Sequence, residues 1–242
     1  MEVRGKIAIV TGAAAGIGRA VATALADEGA AVVVADVDHD EGRRAAEELG
    51  GRFVHADALL DDDLRALIDA EEGLEILVNN AGGAPGPYYP EAPIEHWSRT
   101  LALNLRSAMV ATQLALEAMT AGGAIVNVSS MAGYGLYPHR APEYAAAKAG
   151  LMRLTGALSP LGATTGVRVS CVCPDWVDTP AVHRSLAAMS EEERARVPEL
   201  VSAEEIASLV LDLIRDDTSA GRVIIRPADG HAKTMPLEGS CG

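Results

Sequence analysis

Tyr144 and Lys148 stand four residues apart in EYAAAKAG, an alanine-rich stretch that is expected to be helical. Residues four apart on a helix share one face, so the phenol and the amine are neighbours. A lysine ammonium beside a phenol favours the phenolate and is expected to lower the pKa of Tyr144. A tyrosine tuned in this way exchanges a proton with an alcohol or carbonyl near neutral pH. Upstream, Ile125, Val126 and Val128 read as a buried strand over about residues 125–130, ending in two hydroxyls, Ser129 and Ser130. A serine at a strand end can hydrogen-bond the same reacting oxygen. An isolated Tyr-x-x-x-Lys also describes a half-buried tyrosine beside a solvated lysine, so the pattern needs company.

That company lies near the start of the chain. Lys6 to Thr11 reads as a strand, Gly12 to Gly18 (GAAAGIG) as a loop, and the Ala/Leu-rich stretch to about Gly29 as a helix. Backbone amides at such a junction converge on a phosphate. The first glycine permits the tight turn, and the later ones let a pyrophosphate approach and the helix pack on the sheet. A purely structural turn is the competing reading. The next strand, Ala31 to Ala35, ends in Asp36. A carboxylate there suits the adenosine ribose hydroxyls and repels a 2′-phosphate. Ala13, Ala14 and Ala15 bring no basic side chain, and neither do Val37 and Asp38, so NAD is expected over NADP.

The elements that must position these groups alternate along the chain. Further strands are expected at Phe53 to His55, Glu75 to Val78, Val167 to Cys173 and Val223 to Ile225. Helices are expected over about 40–49, 61–71, 91–119, 142–162 and 203–215. Such alternation means a parallel sheet covered on both faces. No linker or internal repeat is visible, so residues 1–242 are expected to form a single domain. The segment 174–200 is the most irregular, and residues from about Lys233 onward are expected to be a loose tail or an oligomer contact.

Composition narrows the partners. The chain has 242 residues, with 20 Lys plus Arg against 34 Asp plus Glu and a formal net charge of −14. An acidic domain repels phosphate backbones, so no nucleic acid is expected. No apolar run reaches the roughly 18 residues of a membrane span, and the first residues lack signal-peptide architecture. The cysteines are Cys171, Cys173 and Cys241. Cys171 and Cys173 are expected to face opposite sides of a strand and not to pair, which fits a reducing cytoplasm. No metal site is expected.

Taken together, Thr11-Gly12-x-x-x-Gly16-x-Gly18, Asp36, Asp57, Asn79-Asn80-Ala81-Gly82, Asn104, Ser130, Tyr144 and Lys148 resemble the short-chain dehydrogenase/reductase family over nearly the whole chain. The resemblance implies a single doubly wound, Rossmann-type α/β fold with strand order 3-2-1-4-5-6-7 and a nicotinamide cofactor. It implies that Tyr144 is the acid/base and that Lys148 lowers its pKa and binds the nicotinamide ribose. Ser130, the second of its pair, would polarise the reacting oxygen, and Asn104 would hold a water in a proton relay. Gly12, Gly16, Ile17 and Gly18 would lie against the cofactor, with Asp57 and Ala58 at the adenine and Asn80 beside its ribose. Val177 would meet the nicotinamide carboxamide through its backbone, and Thr179 would also contact the cofactor.

The sequence departs from the family pattern at Pro174-Asp175, where Pro-Gly is usual, at Ser170, and at Arg226-Pro227-Ala228-Asp229-Gly230. The family geometry puts a substrate pocket over Ser130 and Tyr144. Its candidate residues are Tyr88, Tyr89, Met131, Tyr137, His139, Arg140, Trp176 and His183. His139 and Arg140 would either hold an anionic group or solvate a loop. The function expected is NAD-linked interconversion of a secondary alcohol and a ketone. The alternatives are a carbonyl reductase working mainly in the reductive direction and a catalytically silent NAD-binding sensor. Family members commonly associate through the helices at about 97–119 and 142–162. Ala108, Ala111, Ala115, Ala118, Ala145, Ala149 and Leu151 are therefore expected to form the faces of a homotetramer or homodimer.

Overall fold

A computed structural model of the chain describes residues 1–235. Strand β1 (Ile7–Thr11) leads into helix α1 (Gly16–Asp27), followed by β2 (Ala31–Asp36), α2 (His39–Leu49), β3 (Arg52–His55), α3 (Asp61–Asp69) and β4 (Leu74–Asn79). Helix α4 (Ile94–Leu101) passes through a π-helical turn (Ala102–Arg106) into α5 (Ser107–Ala118) and then β5 (Gly123–Val128). A 3₁₀ turn (Met131–Gly133) precedes α6 (Pro142–Ala157), α7 (Leu161–Thr164) and β6 (Val167–Pro174). Helices α8 (Pro180–Ala187), α9 (Glu191–Arg194) and α10 (Ala203–Arg215) lead to β7 (Val223–Arg226) and β8 (Lys233–Thr234).

The strands form one sheet in the order 3-2-1-4-5-6-7-8. The pairs from β3 through β7 are parallel, as the alternation requires, and β8 closes the edge antiparallel to β7. This eighth strand is a correction to the expected loose tail. Residues 236–242, including Cys241, lie outside the described residues.

Strand residues alternate between two cores. Ala8, Val10, Val32, Val34, Val78 and Val126 face α1, α2 and α10. Ile9, Val33, Leu77, Ile125 and Val169 face α3 and α5. The same parity corrects the reading of the cysteines: residues two apart in a strand share a face. Cys171 and Cys173 both lie in a third cluster with Met152, Val223 and Ile225. Two strand steps, about 6.4–6.8 Å, lie at the upper limit of the Cα separation that a disulfide spans, and both thiols are free.

Four of the alanine-face residues are corrected in the same way. Ala108, Ala111 and Ala115 are buried in the core beneath α5, and Leu151 is buried beneath α6. They face the sheet and leave only Ala118, Ala145 and Ala149 partly accessible. Helix α6 also stops at Ala157, because Pro160 cannot continue it. The irregular segment after β6 contains two short helices, each started by a hydroxyl cap, Thr179 and Ser190.

A buried polar chain ties the two central strands to the helices on one face. Asn79 Nδ2 donates to Asn127 Oδ1 at 2.9 Å and to Thr112 Oγ1 at 3.2 Å. Asn127 Nδ2 donates to Thr155 Oγ1 at 3.0 Å, and Thr155 Oγ1 donates to the Leu151 carbonyl at 2.9 Å. The chain runs from α5 through β4 and β5 to α6, the helix that carries Tyr144 and Lys148.

Candidate active site

The carboxyl ends of β1, β2, β3, β4 and β5 open into a cleft of about 990 Å³. It brings together Gly12, Gly16, Ile17, Asp36, Asp57 and Ala58. Asn80, Tyr144, Lys148 and Thr179 also line it. Gly18, Asn104, Ser130 and Val177 do not: Gly18 lies beneath the loop, and Val177 is buried in a bridge to Val201.

The glycine loop is shaped by its lack of side chains. Gly12 and Gly16 take φ values of +64° and +58°, where a Cβ is strained. A Cβ at Gly18 would stand 2.2 Å from the Gly12 carbonyl oxygen. Helix α1 begins with no side-chain cap and no acid in its first turn, so its leading amides are left for an anion. Asp36 stands at one end of the cleft, its carboxylate accepting from Ala14 N at 2.9 Å and Asp38 N at 3.0 Å. These features fit a dinucleotide: an uncapped helix start for the pyrophosphate and an acceptor at the β2 end for ribose hydroxyls.

Thr11, in the sequence no more than one member of the glycine motif, fastens this loop. Its hydroxyl accepts from Asn80 N and Ala81 N, each at 3.1 Å. Asn80 Nδ2 in turn donates to the carbonyls of Thr11 at 3.0 Å and Gly12 at 2.9 Å. Asn80 therefore locks the β1 and β4 ends together as well as lining the cleft. Asp57 folds back on its own turn, accepting from Leu59 N at 2.9 Å. Arg184, which sequence reasoning did not assign to the cofactor, also lines the cleft from α8, one helical turn beyond Pro180.

At the other end of the cleft the two serines separate. Ser129 Oγ is buried and donates to the Lys148 carbonyl at 2.7 Å, a structural tie between the β5 end and α6. Ser130 caps the 3₁₀ turn, accepting from Ala132 N at 3.2 Å, and its hydroxyl lies beside the Tyr144 phenol. Lys148 is buried, and its Nζ donates to the Val128 carbonyl at 2.8 Å while standing 5.6 Å from the Tyr144 ring centre. Burial pushes the Lys148 amine down to about 8.

The expected effect of Lys148 on Tyr144 is corrected in this state of the protein. Burial pushes the phenol up, and it is the Ser130 hydroxyl that pulls it partway back. Burial also makes Lys148 bind its proton less tightly, and the charge that would favour a phenolate goes with that proton.

Asn104 is buried in the π-helical turn. Its Nδ2 donates to the carbonyls of Gly83 at 2.8 Å and Thr100 at 2.9 Å, and its Oδ1 accepts from Gly83 N at 2.9 Å. A Cβ on Gly82 would stand 2.6 Å from that oxygen and 3.2 Å from Lys148 Nζ. The side chain thus pins the loop after β4 against the lysine, and both amide protons are already committed.

The substrate candidates divide. The His139 ring stacks on Tyr144 with centroids 6.0 Å apart, and the Arg140 guanidinium lies 4.3 Å from the Tyr88 ring centre. The Tyr137 hydroxyl donates to the Met131 carbonyl, and Tyr89 packs on Trp97. Trp176 gives its carbonyl to Val201 N, and His183 pairs with Asp178 at 2.6 Å. Neither of these two residues is brought to Tyr144 by a contact.

Asp175 takes no left-handed backbone: among the described residues every positive φ belongs to glycine. Its Oδ2 accepts from Ala228 N at 3.3 Å, joining the β6 end to the turn after β7.

Known proteins resemble this chain. Residues 12–225 match the family model described as enoyl-(acyl carrier protein) reductase. The cis-4-hydroxycyclohexanecarboxylate dehydrogenase of Sinomonas cyclohexanicum is 38% identical over 242 aligned positions, 93% of this chain and 95% of that protein. The L-fucose dehydrogenase of Oryctolagus cuniculus is 35% identical over 213, covering 85% of this chain and 74% of its own. A solved short chain dehydrogenase/reductase family protein superposes with a TM-score of 0.85 at 31% identity, over 94% of this chain and 98% of its own. With its sheet order, its glycine cleft and these matches over most of its length, the chain belongs to the short-chain dehydrogenase/reductase family.

Proposed function

We propose that the protein is an NAD(H)-dependent oxidoreductase that interconverts a secondary alcohol and a ketone. The observation that carries this reading is one continuous cleft with Asp36 at one end and Tyr144 with Lys148 at the other. Gly12, Gly16, Ile17 and Thr179 would hold the pyrophosphate, and Asp36 the adenosine ribose. Asp57, Ala58 and Asn80 would flank the adenine and its ribose, and Lys148 the nicotinamide ribose. The dinucleotide, when bound, supplies the hydride acceptor or donor.

This chain's residues do the rest. Ser130 donates a hydrogen bond to the reacting oxygen and orients it. Tyr144 holds the proton at its phenol oxygen, accepting it from an alcohol or returning it to a ketone. Lys148 supports the phenolate only when it is protonated, so its lowered pKa makes it part of the pH response. Asn104 holds Gly82 and Gly83 against Lys148, which fixes the amine below the site. Val177, buried behind the cleft, supports the chain as it turns toward Thr179.

The relatives bring two substrate chemistries, a cyclic hydroxy acid and a sugar. The matched model's description favours a second reading, in which reduction is the working direction. Purified protein with a panel of secondary alcohols and NAD, then with the matching ketones and NADH, tests both through the NADH absorbance. Turnover in neither direction, with NADH bound, would leave the silent sensor.

Assembly as a homodimer or homotetramer is part of the same proposal. It rests on the apolar residues exposed along α4 and α5, Ile94 at 80%, Leu101 at 39% and Met109 at 47%. Light scattering that finds only a 25.1 kDa species counts against it.

A further inference from the structure

Arg140 stands where three loops meet. It belongs to the loop after β5, its guanidinium carbon stands 4.3 Å from the centre of the Tyr88 ring in the loop after β4, and its charge reaches Glu193 of α9. Its neighbours in the chain are both anchored. His139 stacks on Tyr144, and its Nδ1 lies 3.1 Å from Ala141 N and 3.0 Å from Ala141 O. Ala141 is the residue on which α6 starts, so the loop around Arg140 is tied to the helix of the acid/base.

Among the described residues, no carboxylate lies within ion-pair distance of Arg140. Glu193 spends its Oε2 on Ser190, accepting from the backbone N and from Oγ at 2.9 Å each. Arg140 is exposed, and a guanidinium held over the Tyr88 ring keeps N–H donors that can pair with a planar anion. The chain as a whole carries a formal charge of −14, which repels anionic ligands. A site that takes an anion in such a protein needs a local cation held in place.

We infer that the substrate is a secondary alcohol that also carries a carboxylate, and that Arg140 is the residue that binds the carboxylate. This rests on the dehydrogenase reading and adds the substrate class to it. The carbinol sits at Ser130 and Tyr144, and the acid reaches outward past His139 to the guanidinium edge. Arg140 therefore sets specificity, while the proton transfer belongs to Tyr144.

The test uses the intact protein with NAD and two matched alcohols, 4-hydroxycyclohexanecarboxylate and its neutral primary amide. The parent is expected to favour the acid in kcat/KM by about 10- to 100-fold, the range of a hydrogen bond to a charged group. Arg140→Gln should remove most of that preference through the KM of the acid, with the amide losing less than about threefold, and Arg140→Lys should restore part of it. Equal loss for both alcohols marks a structural role and overturns the inference. A parent that oxidises the amide as well as the acid also overturns it, with the dehydrogenase reading intact. If no alcohol is oxidised, that reading fails. The anion site is then decided by equilibrium binding of the acid to the protein–NAD complex. Binding about tenfold weaker in Arg140→Gln supports the site, and equal binding overturns it.

Discussion

At the Asp36 end of the cleft the contacts are made by main chain; at the Tyr144 end they are made by side chains. The first end is built from Gly12, Gly16 and Gly18, the uncapped start of α1, and two amides holding one carboxylate. Its shape depends on atoms that are absent, and a single Cβ would collide with backbone. The second end is built from Ser130, Tyr144 and Lys148 on a rigid strand end and helix, then ringed by loops that present Tyr88, Tyr137, His139 and Arg140. There a change of side chain alters what is recognised and leaves the backbone in place. One end is constrained by stereochemistry, and the other is free to vary with the ligand.

The largest expected effect tests whether the Tyr144 end does chemistry separately from binding at the Asp36 end. Tyr144→Phe keeps the ring and removes the proton donor. A fall in kcat of about 10²- to 10⁴-fold is expected, with NADH affinity nearly unchanged. Near-normal turnover would remove Tyr144 from its role, and lost NADH binding would show that the two ends are not separable.

Lys148 lies where the two ends meet. Burial lowers it to about 8 from 10.5. Between about pH 8 and 10.5 the unfolded chain therefore binds more protons than the folded one, so this residue makes stability rise with pH across that window. Lys148→Met should abolish the rise. Parent-minus-variant unfolding free energy from urea titrations is expected to increase by up to about 3 kcal/mol between those limits. A flat difference would mean that the amine is not desolvated as the structure places it.

Cofactor choice sharpens the reading of the Asp36 end. NADH should bind at least about tenfold more tightly than NADPH, about 1.4 kcal/mol, and Asp36→Asn should narrow the gap. Fluorescence titration decides it, and preference for NADPH in the parent would refute the role of the carboxylate. The smallest effect is expected at Asp175. Its carboxylate bonds Ala228 N, so Asp175→Gly should leave kcat/KM within about threefold and lower the melting temperature slightly, as loss of one modest hydrogen bond does. A tenfold loss in kcat/KM at unchanged stability would give Asp175 a place at the substrate.

How much of this was legible in the sequence follows the same division. The four-residue step from Tyr144 to Lys148 and the glycine spacings are local geometry, so Gly12, Gly16, Tyr144 and Lys148 reach one cleft while Gly18 lies beneath the loop. Sheet order needed the family resemblance, because the 3-2-1-4 reversal is not a local property. Thr11 was hidden because its partners, Asn80 and Ala81, lie about 70 residues away. The direction of the Tyr144 shift was misread because a spacing reports proximity and says nothing of burial. The alanine faces were misassigned for a related reason: small residues suit both a tight helix pair and a helix laid on a sheet. The loops at the Tyr144 end obey no period, so the sequence offered Arg140 as one of several substrate candidates, to hold an anionic group or to solvate a loop. The structure adds that its guanidinium stands over the Tyr88 ring, 4.3 Å from the ring centre.

The chain Thr112–Asn79–Asn127–Thr155 acts as a key for assembling the sheet. Apolar strands of similar composition tolerate many neighbours, since one valine packs on another in almost any alignment. Two amides that complete each other at a single position do not. Sliding β5 by one residue against β4 would turn Asn127 toward the opposite core and leave both amides stranded in hydrocarbon. The alignment that satisfies them also places Ser129 and Ser130 at the height of Lys148 and Tyr144. A mispaired intermediate would thus be disfavoured before the catalytic groups ever met, and the order of the central strands is checked by polarity where shape alone would let errors pass.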